Sequence, residues 1–143
     1  MATATSTRTL QCVVVTPERA VVDEPADFVA LPLYDGEIGI LPGRAPLVGR
    51  LGYGELRIKS GGQTKRFFVD GGFVQVRANV VTVLTSRALK ANAIKPEQAE
   101  QALREATGPA AKGSADERLK AQGRARAQLR VARHAGPLGE AHG

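Results

Sequence analysis

The sequence predicts an all-β sandwich followed by an antiparallel hairpin of two helices. Three observations predict it. Between residues 10 and 89, short aliphatic runs alternate with Gly, Pro, Asn and Ser clusters at regular spacing. That is the pattern of short strands in a sandwich or barrel. After Ala91 the β-branched runs stop, and Ala, Gln, Glu, Lys and Arg take over, residues that favour helix. Thr107-Gly108-Pro109 and then Gly113-Ser114 break this helical stretch into two. The expected organisation is a disordered N-terminus over 1–9, a β-sandwich over 10–91, a helical hairpin over 92–135 and a disordered tail over 136–143.

Residues 10–15 form the first strand, closed by Thr16-Pro17, and 20–22 a short second one. Residues 28–33 form a third, and Pro32 makes it an edge or bulged strand. In 35–47, three glycines and two prolines are interleaved with Ile38, Ile40, Leu41 and Leu47. Such a stretch is a shaped loop carrying one short buried strand over 37–41, because a linker would not leave four large aliphatics in water. Leu51-Gly52-Tyr53-Gly54 reads as a turn, and 55–59 alternates with period two. Ser60-Gly61-Gly62-Gln63 is a hairpin turn into 65–70, Gly71-Gly72 a further turn into 73–77, and Ala78-Asn79 a third into 80–85. The β region ends near Leu89.

In the first helix Pro96 suits the first position, and Ala99, Ala102, Leu103 and Ala106 share a face. The second runs over 114–135, with Ser114 as N-cap and Asp116 and Glu117 behind it. Docking of the hairpin rests on Leu103, Leu119, Leu129, Val131 and alanines. So small an apolar face predicts attachment weak enough to be released.

Aromatic residues are 4% of 143 and Trp is absent, so the core is aliphatic. Cys12 is the one cysteine, which gives neither a disulfide framework nor a metal site and fits a reducing compartment. No apolar run approaches the ~20 residues of a membrane span, and the N-terminus lacks the apolar stretch of a secretory signal. The formal charge of +6 suggests an acidic partner. It is concentrated in the second helix, in Arg118, Lys120, Arg124, Arg126, Arg130 and Arg133, with no acid between Glu117 and Glu140. Arg118, Arg126, Arg130 and Arg133 lie within a third of the circumference. They read as a basic face for an acidic groove rather than a merely solvated one.

No catalytic constellation and no cofactor motif stands out. His134 and His142 read as exposed tail residues without metal-ligand company. Gly61-Gly62-Gln63-Thr64-Lys65 lacks the spacing of a phosphate loop. No aromatic–basic interleaving suggests base stacking, so nucleic acid is not an expected partner. A free-standing basic module for nucleic acid or an anionic surface remains the alternative on charge alone.

The loop Gly36-Glu37-Ile38-Gly39-Ile40-Leu41-Pro42-Gly43-Arg44-Ala45-Pro46-Leu47 resembles the signature loop of the epsilon subunit of bacterial F-type ATP synthase. The resemblance continues through Gly54-Glu55-Leu56-Arg57-Ile58, Asp70-Gly71-Gly72-Phe73-Val74-Gln75-Val76, Asn79-Val80-Val81-Thr82-Val83-Leu84 and Ala127-Gln128-Leu129-Arg130-Val131-Ala132. It implies a non-catalytic part of the central rotor, peripheral on the cytoplasmic face of the bacterial inner membrane and associated with it only through the complex. The implied partners are the gamma subunit, the c-ring subunits and the alpha and beta subunits of the catalytic head. It further implies coupling of proton-driven rotation to ATP synthesis, and a hairpin able to extend and block ATP hydrolysis. Glu37 and Arg44 fall where the family loop faces the c ring, and Arg118, Arg126, Arg130 and Arg133 where the last helix meets the head. The family often has histidine at the position of Arg44, so a fixed charge replaces a titratable one there. Members that sense ATP carry Ile/Leu-Asp-x-x-Arg-Ala at the first helix. Here Lys95 replaces the acid and Gln98 the arginine, so weak or no nucleotide binding is expected.

Overall fold

In the computed structural model the described residues are 9–109 and 113–134. The expected disordered ends, His142 and the close of the second helix lie outside them. Eight strands come first: β1 (Leu10–Val15), β2 (Ala20–Ala26), β3 (Phe28–Leu33), β4 (Gly36–Ile40), β5 (Leu47–Ser60), β6 (Gln63–Arg77), β7 (Val80–Leu84) and β8 (Ala88–Lys90). A 3-10 turn, Ala91–Ala93, leads to the helices α1 (Pro96–Thr107) and α2 (Ala115–His134).

The strands form one continuous sheet in the order β2-β1-β7-β6-β5-β3-β4, with β8 also on β6. It folds over on itself into two layers because β5 and β6 are long, 14 and 15 residues, and serve both. The first half of β5 and the second half of β6 lie with β7, β1 and β2; the other halves lie with β3, β4 and β8. All pairings are antiparallel except β1 with β7.

Two expected turns are corrected here. Gly52 and Gly71-Gly72 lie inside β5 and β6, at the corner where both strands pass between layers. Inward positions change parity across it: Leu47 and Leu51 before, Leu56 and Ile58 after, and likewise Phe67 and Val69, then Val74 and Val76. Gly72 holds φ +110, and a Cβ there would lie 1.9 Å from the Leu84 carbonyl oxygen. A side chain is excluded by both the backbone angle and the close approach. The genuine hairpin turns are Gly61-Gly62 (φ +59 and +82) and Ala78-Asn79 (φ +50 and +65), with the left-handed pair of angles that matches strand twist. Pro32 falls at the irregularity in the β3–β5 register, so β3 is bulged rather than an edge. The second strand extends beyond 20–22, to Ala26.

The sandwich core is aliphatic, as its composition demands. Leu10, Cys12 and Val14 on β1 meet Leu31, Ile40, Leu56, Val76, Val81 and Val83, with Phe67 as its aromatic member. Burial pushes the Cys12 thiol up to about 12, and the Glu24 charge adds to the effect. Leu41 is the exception to the expected burial of the loop's aliphatics: β4 ends at Ile40, and Leu41 is 59% exposed.

A second, smaller cluster lies outside the sandwich. Phe68, between the inward Phe67 and Val69, points the other way and is fully buried beneath α2 with Ala91, Ile94, Ala127 and Val131. Ser114 and Glu117 close a reciprocal capping box at the start of α2: the Glu117 amide donates to Ser114 Oγ at 3.1 Å, and the Ser114 amide to Glu117 Oε1 at 3.4 Å. α1 packs chiefly on α2, with Gln122 Nε2 donating to the Ala106 carbonyl at 3.0 Å. Ala99 is buried and Leu103 and Ala106 half-buried, but Ala102 is exposed and Leu119 is 63% exposed. Docking therefore rests on Ala125, Ala127, Leu129 and Val131, a smaller apolar face than expected.

Candidate functional site

The first candidate surface was not singled out from the sequence. On the layer built from β1, β7 and the adjoining halves of β6 and β5, large apolar residues stand exposed at outward positions beside polar ones such as Arg50, Gln75 and Thr82. Phe73 pairs directly with Leu84 across the β6–β7 ladder; Val15 flanks Leu84, and Val48 stands opposite Gln75. Phe73 is 56% exposed, Leu84 51% and Val48 74%. Alternating strands normally carry polar residues on a face left to water. A contiguous apolar patch left open is the signature of a protein interface. The signal was in the sequence: Val48, Phe73 and Leu84 all fall on outward positions of their strands.

The shaped loop supplies the second surface. Its tip is pinned by the Gly43 amide, which donates to Asn79 Oδ1 at 2.8 Å. That bond ties it to the β6–β7 turn and presents exposed Leu41 and Arg44. Glu37 stands apart from Arg44, near the other end of β4. Its carboxylate takes two hydrogen bonds from Arg57, Nη2 to Oε1 at 2.9 Å and Nη1 to Oε2 at 3.2 Å. The Arg57 guanidinium is held above its usual pKa. The Glu37 hydrogen bonds are the largest cause, Glu55 adds to them, and burial partly opposes.

α2 carries the third surface, and its cations divide into classes that the sequence could not separate. Arg124 Nε donates to Asp70 Oδ1 at 2.9 Å, Lys120 pairs with Asp116 at 3.4 Å, and Arg118 Nη1 donates to the Gly113 carbonyl at 2.9 Å. These three are tied down. Arg126, Arg130 and Arg133 are exposed and carry no ion pair or side-chain hydrogen bond among the described residues. Gly123 lets α2 come close to the sandwich, for a Cβ there would fall 2.2 Å from the Tyr53 hydroxyl.

His134 is exposed, as expected, and its Nδ1 also reaches Glu55 Oε2. Glu55 also accepts from Arg57 Nη1 at 3.3 Å, and Arg66 Nε lies 4.0 Å from it. Lys95 and Gln98 are both exposed at the start of α1. Lys95 occupies the N-cap position with no side-chain cap bond. Among the described residues no group of three or more His, Cys, Asp or Glu converges to hold a metal ion, and no helix is long and apolar enough to cross a membrane.

The family model described as ATP synthase, Delta/Epsilon chain, beta-sandwich domain matches residues 9–91. The ATP synthase epsilon chain of Rhodopirellula baltica is 48% identical over 126 residues, 87% of this chain and 98% of that one. The ATP synthase epsilon chain of Synechococcus sp. (strain JA-2-3B'a(2-13)) is 41% identical over 129 residues, 87% and 93% of the two chains. In fold, the chain is similar to one in the cryo-EM structure of Euglena gracilis mitochondrial ATP synthase, OSCP/F1/c-ring, with a TM-score of 0.74 at 23% identity over 90% of this chain and 81% of that one. A free-standing basic module finds no support in these relationships. The sandwich match and the relatives that extend past it into the helices lead to one conclusion: the chain belongs to the ATP synthase epsilon-chain family.

Proposed function

We propose that this chain couples proton-driven rotation of a c ring to ATP synthesis through a gamma subunit, and that its hairpin can brake ATP hydrolysis. The sandwich is the rotor element. Its uncovered Val48–Phe73–Leu84 face suits a hydrophobic partner such as gamma, and Leu41 and Arg44 at the loop tip, with Glu37, suit the polar ends of c subunits. The chain then sits peripherally at the cytoplasmic face of the bacterial inner membrane. It has no active site of its own and takes no cofactor; Lys95 and Gln98 leave the first helix unsuited to hold nucleotide.

The observation that carries the braking role is the set of unpaired arginines on a lightly docked helix. Arg126, Arg130 and Arg133 have no carboxylate partner among the described residues, and cations without acids complement an acidic surface. An acidic segment of a catalytic beta or alpha subunit is the partner proposed, with Arg118 joining it once it releases the Gly113 carbonyl.

The test is ATP hydrolysis by a catalytic complex lacking this subunit, with three chains added back: full length, residues 1–91, and the Arg126→Ala/Arg130→Ala/Arg133→Ala variant. All three should bind, and only the unaltered full chain should slow hydrolysis, less so at high salt. Binding without inhibition by any chain would remove the brake and leave the rotor role. Failure of all three to bind would remove both.

A further inference from the structure

We propose that Glu55 is a shared carboxylate through which the Glu37 end of the molecule controls how firmly the last turn of α2 is held. The argument rests on a chain of contacts that runs Glu37–Arg57–Glu55–His134 across the outer face of the β3–β5–β6 layer. Glu37 lies on β4, Arg57 and Glu55 on β5, and His134 at the end of α2. Arg57 divides its guanidinium between Glu37, at 2.9 and 3.2 Å, and Glu55, at 3.3 Å. Glu55 in turn divides its carboxylate between Arg57 on Oε1 and His134 on Oε2. Its side chain is only 9% exposed, whereas Glu37 at 52% and His134 at 46% stand half open to water, so the relay is shielded at its centre and screened at its ends.

A second acceptor-seeking group stands ready beside Glu55. Arg66 lies opposite Arg57 in the ladder, with its Nε 4.0 Å from Glu55 Oε2. The buried Nε and Nη1 of Arg66 have no hydrogen-bond partner among the described residues. An unsatisfied buried donor is costly, so Glu55 is drawn toward Arg66 whenever His134 lets go. The site thus has two arrangements. In the one observed, Glu37 occupies most of Arg57 and Glu55 remains free to hold His134. In the other, Glu37 is drawn away by a cationic partner, and Arg57 turns onto Glu55. One carboxylate then faces two guanidiniums, and the hold on the imidazole weakens. Of the other cations on this end of α2, Arg130 and Arg133 are exposed and make no ion pair among the described residues. The coupling is a property of the chain alone. That the partner at Glu37 is a rotor component rests on the function proposed above.

The test is amide hydrogen exchange of the full chain, read in peptides covering residues 125–134. Glu37→Gln should raise exchange there about 2- to 5-fold, the range of a half-exposed ion pair, and Glu37→Lys by more. His134→Ala should raise it at least as much. Combined with His134→Ala, Glu37→Gln should add nothing, because its effect passes through that contact. Strand amides over 74–76 report that the sandwich is intact. No rise with Glu37→Gln, or an equal rise in the His134→Ala background, would overturn the proposal. Neither result depends on assembly with other subunits, so it leaves the rotor reading untouched.

Discussion

Phe67 and Phe68 are neighbours in sequence and belong to different structures. Phe67 points into the sandwich, among 17 buried residues drawn from both layers. Phe68 points outward, into a cluster of five buried residues, two of them alanines. The two contacts differ in kind as well as size. The core is closed by apolar packing alone. The seam between sandwich and hairpin joins a few apolar side chains to polar contacts at both ends, the Arg124–Asp70 ion pair and the contact of His134 Nδ1 with Glu55. Dense packing holds a single arrangement, whereas a small apolar seam latched by charges can open without disturbing what lies beneath it.

The contrast is broken or sharpened most directly at these two residues. Phe67→Ala should cost the whole sandwich about 3–5 kcal/mol, read as a lower urea midpoint. Phe68→Ala should instead abolish exchange protection in α1 and α2 while moving the sandwich midpoint by less than about 1 kcal/mol. Equal losses from both would mean that hairpin and sandwich unfold as one unit.

A smaller effect isolates the core. The folded Cys12 thiol titrates near 12 against an ordinary 9.0. The folded state keeps its proton where the unfolded chain has lost it. The stability this gives is complete below pH 9 and is lost as pH rises from 9 toward 12, at about 1.4 kcal/mol per unit. Urea midpoints measured from pH 8 to 10.5 should fall more steeply for the native sequence than for Cys12→Ala. Releasing the hairpin should leave that slope unchanged, because Cys12 lies inside the sandwich.

The smallest effect concerns α1. Lys95 has the extended backbone of an N-cap, φ −91 and ψ 112, without a side chain able to accept from the helix amides. Lys95→Asp supplies that acceptor and replaces a charge that opposes the helix dipole. It should stabilise α1 by about 1 kcal/mol, seen as slower amide exchange over 97–100, with no change in the sandwich.

The sandwich and the two helices were legible because hydrophobic period and capping chemistry are local. β1 and β3 have the bounds their sequences imply, and Ser114 caps α2 as its spacing from Glu117 requires. The Gly71-Gly72 corner was not legible as such, because glycine pairs serve turns and strand corners alike. Only the position of Leu84, distant in sequence, separates the two uses. The helix face was overread at Leu119, whose wheel position looks inward but which is 63% exposed. The uniform arginine run concealed a division made by acids elsewhere: Asp70 claims Arg124, and nothing among the described residues claims Arg126, Arg130 or Arg133. The open apolar face was written in the alternation of β5, β6 and β7, but it shows as a patch only once Phe73 and Leu84 are set side by side.

The parallel pairing of β1 with β7 also imposes an order of events on the chain as it is made. The first strand cannot take its place until the seventh has been synthesised, so loop closure over nearly the whole domain precedes the last ladder. Until then β1 and β2 can form only a two-stranded ribbon, which is marginal in water. The helices emerge afterwards and meet a finished surface. A nascent chain halted soon after β7 has cleared the ribosome would therefore hold the β1–β7 ladder with Phe68 still uncovered by α2.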